Sequence, residues 1–100
     1  MQRKVVVMCG SLRHMDIIQK TAERLELERG YAVITMLPHV LPKELTKNER
    51  ELLGELHLRK IDLADAVYIV NVNGYIGEAV KCEIAYARAK GKEILYLEEK

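Results

Sequence analysis

The sequence predicts an α/β domain built on a parallel sheet, and three features carry that expectation. Residues 4–8 and 67–70 are short, nearly continuous apolar runs rich in valine and isoleucine, as strands buried on both faces require. Each run leads into a polar turn containing glycine. Each turn is followed by a stretch whose apolar residues recur at helical spacing, so strand, turn and helix alternate along the chain.

Taken in order, residues 4–8 form the first strand and Cys9-Gly10-Ser11-Leu12-Arg13 the turn after it. Ile18, Ala22 and Leu25 mark a helix over residues 15–29, which Gly30 stops. Residues 31–37 return to β-branched and apolar types as a second strand, and Pro38 and Pro42 bound an irregular segment that holds His39. Thr46 and Glu49 have capping-box spacing and open a second helix running to about Leu63. Leu53, Ile61 and Ala64 lie on one side of it, with His57 in the same stripe. Residues 62–65 lead into the third strand. Val80, Ile84 and Ala87 form the apolar stripe of a third helix, Gly91 ends it, and residues 93–97 make a fourth strand. The terminal Glu98-Glu99-Lys100 is expected to fray.

A β-α-β-α-β-α-β order with short connections implies right-handed crossovers and helices on both faces. The expected architecture is one Rossmann or flavodoxin-like three-layer sandwich over residues 1–100, with strand order 2-1-3-4. That order puts the switch point between strands one and three, so the turn at residues 10–13 and the turn at residues 71–77 should meet in one crevice.

Composition narrows the possible partners. A chain of 100 residues suits one domain, and at 49% hydrophobic it can form a core while leaving much surface uncovered, so a homodimer is expected. The formal charge is +1, with acidic and basic residues intermixed, which gives no footprint for a polynucleotide or an anionic membrane. Residues 1–10 are too short for a signal peptide or a membrane span, and with Cys9 and Cys82 the only cysteines, a reduced cytoplasmic protein is expected. His14, His39 and His57 are scattered and show no zinc-site spacing, so neither a structural metal nor a cofactor is expected.

In the first turn, Gly10 permits close backbone approach, Ser11 offers a hydroxyl, and Arg13 offers a forked cation suited to a carboxylate or phosphate. An ordinary turn with a surface arginine fits equally well. The turn is neither a Walker loop nor a dinucleotide fingerprint. In the second, Asn71, Asn73, Gly74, Tyr75 and Gly77 combine turn formers with hydrogen-bonding side chains. Tyr75 suits stacking on a base or sugar, or anchoring an interface. At about 100° per residue, Glu83 falls roughly 60° from Val80, at the border of the third helix's apolar stripe, whereas Glu78 points away from it. Desolvation raises the pKa of such a carboxylate and the helix amino end lowers it, a balance expected to leave Glu83 ionised. Pairing with Lys81, Arg88 or Lys90 is the alternative reading of Glu83. A core histidine with one hydrogen bond is the alternative for His57. Cys9 reads as a small buried residue, with no base beside it in the sequence.

Cys9-Gly10-Ser11-Leu12-Arg13, Ile61-Asp62-Leu63-Ala64-Asp65-Ala66, and Glu83-Ile84-Ala85-Tyr86-Ala87 with Gly91-Lys92 together resemble the nucleoside 2-deoxyribosyltransferase-like superfamily, including its deoxynucleoside 5′-monophosphate N-glycosidases. The resemblance spans nearly the whole chain in order. It implies cleavage or transfer of the N-glycosidic bond of a nucleoside or nucleotide, with Glu83 as nucleophile and Gly10, Ser11 and Arg13 against the sugar and phosphate. A carboxylate beside C1′ can trap an oxocarbenium-like centre as a glycosyl ester. This chain departs from the pattern at Val7, where a tyrosine is common, at His57, where an acidic residue is common, and at Asn71 and Asn73, where Asp or Glu is frequent. His57 is therefore the candidate for acid-base work, provided its pKa lies near neutrality. The alternative is a non-catalytic nucleotide-binding or sensing module in the same crevice, since a shared fold does not fix a shared reaction.

Overall fold

Four apolar strands separated by helices can bury themselves only as the middle layer of a sandwich, and the computed structural model, which describes residues 2–99, has that arrangement. The strands are β1 (Val5–Gly10), β2 (Ala32–Ile34), β3 (Ala66–Val70) and β4 (Glu93–Tyr96). The helices are α1 (Met15–Arg24), α2 (Lys47–Asp62) and α3 (Glu78–Ala89). All strand pairs are parallel and the sheet order is β2-β1-β3-β4, as the sequence predicts.

Handedness decides which helix covers which face. The chain moves one way across the sheet from β1 to β2 and the other way from β2 to β3 and from β3 to β4, so right-handed crossovers put α1 on one side and α2 with α3 on the other. The two core clusters follow that division. Met8 and Val70 pack with Ile18, Ala22 and Leu25 of the first helical segment. Val7, Cys9, Val67 and Ile69 pack with Ile61 of α2 and with Val80, Ile84 and Ala87 of α3. Strand alternation therefore places Cys9 under α2 and α3.

Several expected boundaries shift. The first helix ends in a wider π turn, Leu25–Arg29, and Gly30 stops it in the left-handed region at φ 69°. β2 leaves the ladder after Ile34 instead of running to Leu37. The capping box at α2 is present, with Glu49 N–H donating to Thr46 Oγ1 at 3.1 Å and Thr46 N–H donating to Glu49 Oε1 at 2.9 Å. The α2 stripe is shorter than expected: no residue from 47 to 56 is buried, and Leu53 is 51% exposed. Only the second half of α2, with His57 and Ile61, lies on the core. Nor does the chain fray directly after β4. Asn71 holds the backbone of Glu98, donating through Nδ2 to Glu98 O at 3.0 Å and accepting from Glu98 N–H at 2.9 Å. Met1 and Lys100 lie outside the described residues. Among the described residues no helix is long and apolar enough to cross a membrane.

Gly10 ends β1 where helix and strand close over it. A β-carbon there would meet Ile18 Cδ1 at 3.1 Å and Val70 Cβ at 3.2 Å. Gly10→Ala is therefore expected to destabilise the domain by about 1–3 kcal/mol through local overpacking. Urea denaturation checks this, and an unchanged midpoint would mean that Ile18 relaxes freely.

Candidate functional site

Because Gly10 pairs in register with Val70, β1 and β3 end at the same level and the turns that leave them are neighbours. They meet through Arg13, whose guanidinium carbon lies 5.5 Å from the centroid of the Tyr75 ring, within cation–π range. Ser11 shapes the first turn by accepting a hydrogen bond from Arg13 N–H at 3.4 Å. In the second turn Asn73 and Gly74 both adopt positive φ, 55° and 78°, which reverses the chain and presents Tyr75. Gly77 leaves room for that ring: a β-carbon there would lie 3.2 Å from Tyr75 Oη.

The two asparagines of the second turn both reach Glu98. Asn71 is buried, and its amide bonds both polar groups of the Glu98 backbone, so its visible work is to fasten the chain after β4 to the end of β3. Asn73 contributes its backbone N–H to Glu98 Oε2 at 2.7 Å and leaves its side chain exposed.

Glu83 lies deeper. It forms no ion pair with a lysine or arginine among the described residues; Lys81 pairs with Glu78 and Lys90 lies over Tyr86. Its carboxylate points instead between α2, α3 and β1, with Oε1 3.5 Å from His57 Nε2. That atom is buried and has no hydrogen-bond partner. Cys9 Sγ lies 3.3 Å from the same His57 nitrogen. Three side chains from three elements thus converge, their ligating atoms all within 4.8 Å of one another.

Desolvation dominates the electrostatics of this cluster. Burial pushes the Glu83 carboxyl up to about 7, the Cys9 thiol opposing it weakly, so the helix amino end does not keep it fully ionised. Burial, with Lys60 adding to it, pushes His57 down to about 4, so the imidazole is neutral at neutral pH. Burial also raises the Cys9 thiol, and the adjacent Glu83 carboxylate adds to that. Neutral His57 is a polar contact for Cys9 and Glu83 here, not the near-neutral acid that the sequence made conditional.

The structure therefore unites Ser11, Arg13, Tyr75 and Gly77 at the converged turns, and separately brings His57 to Glu83. Cys9 is the addition that the sequence did not single out. One surface hollow, lined by Leu12, Met15, Pro38 and His39, lies against the first turn. Another, lined by Ile76, Lys81, Ile84, Ala85 and Arg88, flanks α3; neither includes Glu83. No protein-family model matches the chain, and no curated protein matches it either.

A pKa raised on folding stabilises the fold where the proton is held and is lost as it leaves. Glu83 therefore contributes fully below its ordinary 4.5 and loses that contribution as pH rises through about 7. His57 has the opposite sign: its contribution is present above 6.5 and is lost as pH falls toward about 4. In the metal-free protein, Glu83→Gln should gain on wild type as the pH rises from 4.5 to 7, approaching about 3 kcal/mol. Denaturation midpoints measured across that window check it, and a pH-independent difference would contradict the burial assigned to Glu83.

Proposed function

We propose that this protein cleaves or transfers the N-glycosidic bond of a nucleoside or nucleoside 5′-monophosphate, with Glu83 as nucleophile. The observation that carries the reading is the Glu83 carboxylate, which faces His57 at 3.5 Å with a buried oxygen that has no hydrogen-bond partner. Such a group lowers stability, and proteins retain costs of that kind chiefly at functional sites. The sequence resemblance to the nucleoside 2-deoxyribosyltransferase-like superfamily, which places its nucleophile at this position, adds the reaction class.

In this reading ionised Glu83 attacks C1′ of the sugar, and the C1′–N bond breaks with its electron pair leaving on the base. The base takes up a proton as it departs. Water, or a second base, then attacks C1′ of the glycosyl ester and returns the carboxylate, so configuration is retained. His57, neutral and beside Glu83, leaves the carboxylate unpaired by a cation and so free to attack, and the proton of the attacking water passes to solvent. Arg13 and Ser11 receive the sugar or its 5′-phosphate, with Tyr75 stacking on the base.

A non-catalytic nucleotide-binding role is the second reading, and one observation favours it. Glycosidic cleavage ordinarily employs a second carboxylic acid, whereas the groups beside Glu83 are a neutral imidazole and a thiol.

Incubation with a panel of nucleosides and 5′-monophosphates, followed by chromatography for free base, separates the two. The enzymatic reading predicts base release that falls at least about a hundredfold in Glu83→Gln and Glu83→Ala. Binding that raises the melting temperature without base release selects the second reading. Arg13→Ala should weaken 5′-monophosphates more than nucleosides; equal losses would remove Arg13 from phosphate recognition.

A further inference from the structure

We propose that Cys9, His57 and Glu83 form a binding site for a divalent transition metal ion, Zn2+ by chemical class, with one coordination position left open. This goes beyond the glycosidic reading and does not rest on it. The donor set is one thiol sulfur, one imidazole nitrogen and one carboxylate oxygen, each a common zinc ligand and together unsuited to Mg2+ or Ca2+. A tetrahedral ion with bonds of about 2.0–2.3 Å holds neighbouring ligand atoms roughly 3.3–3.7 Å apart. Cys9 Sγ and His57 Nε2 are 3.3 Å apart, His57 Nε2 and Glu83 Oε1 are 3.5 Å apart, and the third separation is within 4.8 Å. The ligand atoms thus already stand near bonding positions.

The surroundings point the same way. Cys9 is fully buried, His57 is 7% exposed, and the Oε1 of Glu83 lacks any hydrogen-bond partner, leaving its lone pairs free to coordinate a cation. Each ligand comes from a different element, β1, α2 or α3, and Cys9 is packed within the core that joins them. That is also why sequence spacing shows no zinc site: the usual patterns place two ligands on one short segment. Binding displaces the Cys9 thiol proton to solvent, together with any proton on Glu83, and three protein ligands leave a fourth position for water or a ligand group. A metal-held Glu83 cannot also attack C1′, so Zn2+ occupancy and glycosyl transfer exclude each other at this site.

Titrating chelator-treated protein with Co2+ under anaerobic conditions tests this without any turnover. One equivalent should produce a thiolate-to-cobalt charge-transfer band and the intense visible bands of four-coordinate cobalt, both bleached by one equivalent of Zn2+. Cys82→Ser, which alters the exposed cysteine, should leave the spectrum intact, and Cys9→Ser should abolish the charge-transfer band. Glu83→Gln, which preserves shape, should weaken Co2+ affinity about tenfold or more, and it decides the matter if Cys9→Ser does not fold. Absence of the charge-transfer band in the wild type, or unchanged affinity in Glu83→Gln, overturns the site. Absence of base release in the nucleotide assay leaves these spectra unaffected, so the two readings fail separately.

Discussion

The candidate site depends on one desolvated carboxylate. Glu83 stands at the border of the α3 stripe, and the same geometry that seats Val80, Ile84 and Ala87 on the sheet carries its side chain beneath α2. Water is largely excluded there and no lysine or arginine among the described residues pairs with Glu83, so the carboxyl holds its proton more strongly than usual. An apolar residue would pack in that position at lower cost. Its presence gives the cluster its chemistry, because a group near half-ionisation can serve as nucleophile, proton carrier or ligand.

The scaffold places that group through topology rather than local sequence. β1 and β3 are adjacent because the chain reverses direction across the sheet, and their aligned ends bring Arg13 to Tyr75. Since α2 connects β2 to β3, it passes over β1, and His57 comes down on Cys9. Hydrogen bonds then hold the framework: Tyr86 Oη donates to Asp62 Oδ1 at 2.7 Å, tying α3 to the end of α2, and Val5 N–H donates to Asp65 Oδ2 at 2.8 Å, tying β1 to the start of β3.

Much of this was legible in the sequence. Valine runs, helical stripes and capping signals locate the four strands and the three main helices, and their alternation with short connections implies the parallel sheet. The border position of Glu83 follows from angular spacing alone. Three things were not legible, each for a physical reason. Leu53 matches the α2 stripe in angle, but helical periodicity does not say where along its axis a helix meets the sheet, and that half of α2 remains exposed. Asn71 has the composition of a ligand-binding loop, but its partner is the Glu98 backbone, 27 residues away. Cys9 looked isolated because its neighbours come from α2 and α3; strand alternation combined with crossover handedness was the signal that could have placed His57 over it. At Glu83 desolvation outweighs the helix end, and angular spacing does not reveal how deeply a border side chain is covered.

The most direct test of Glu83 as nucleophile is to trap the glycosyl ester. A 2′-fluoro-substituted 2′-deoxynucleoside slows both steps by destabilising the oxocarbenium-like transition state, and a good leaving base preserves the first, so the intermediate accumulates. Intact-mass and peptide mass spectrometry should then show one added fluorosugar on the peptide containing Glu83, with free base released in equal amount. An adduct on Cys9, or base release with no sugar retained on the protein, would contradict the account.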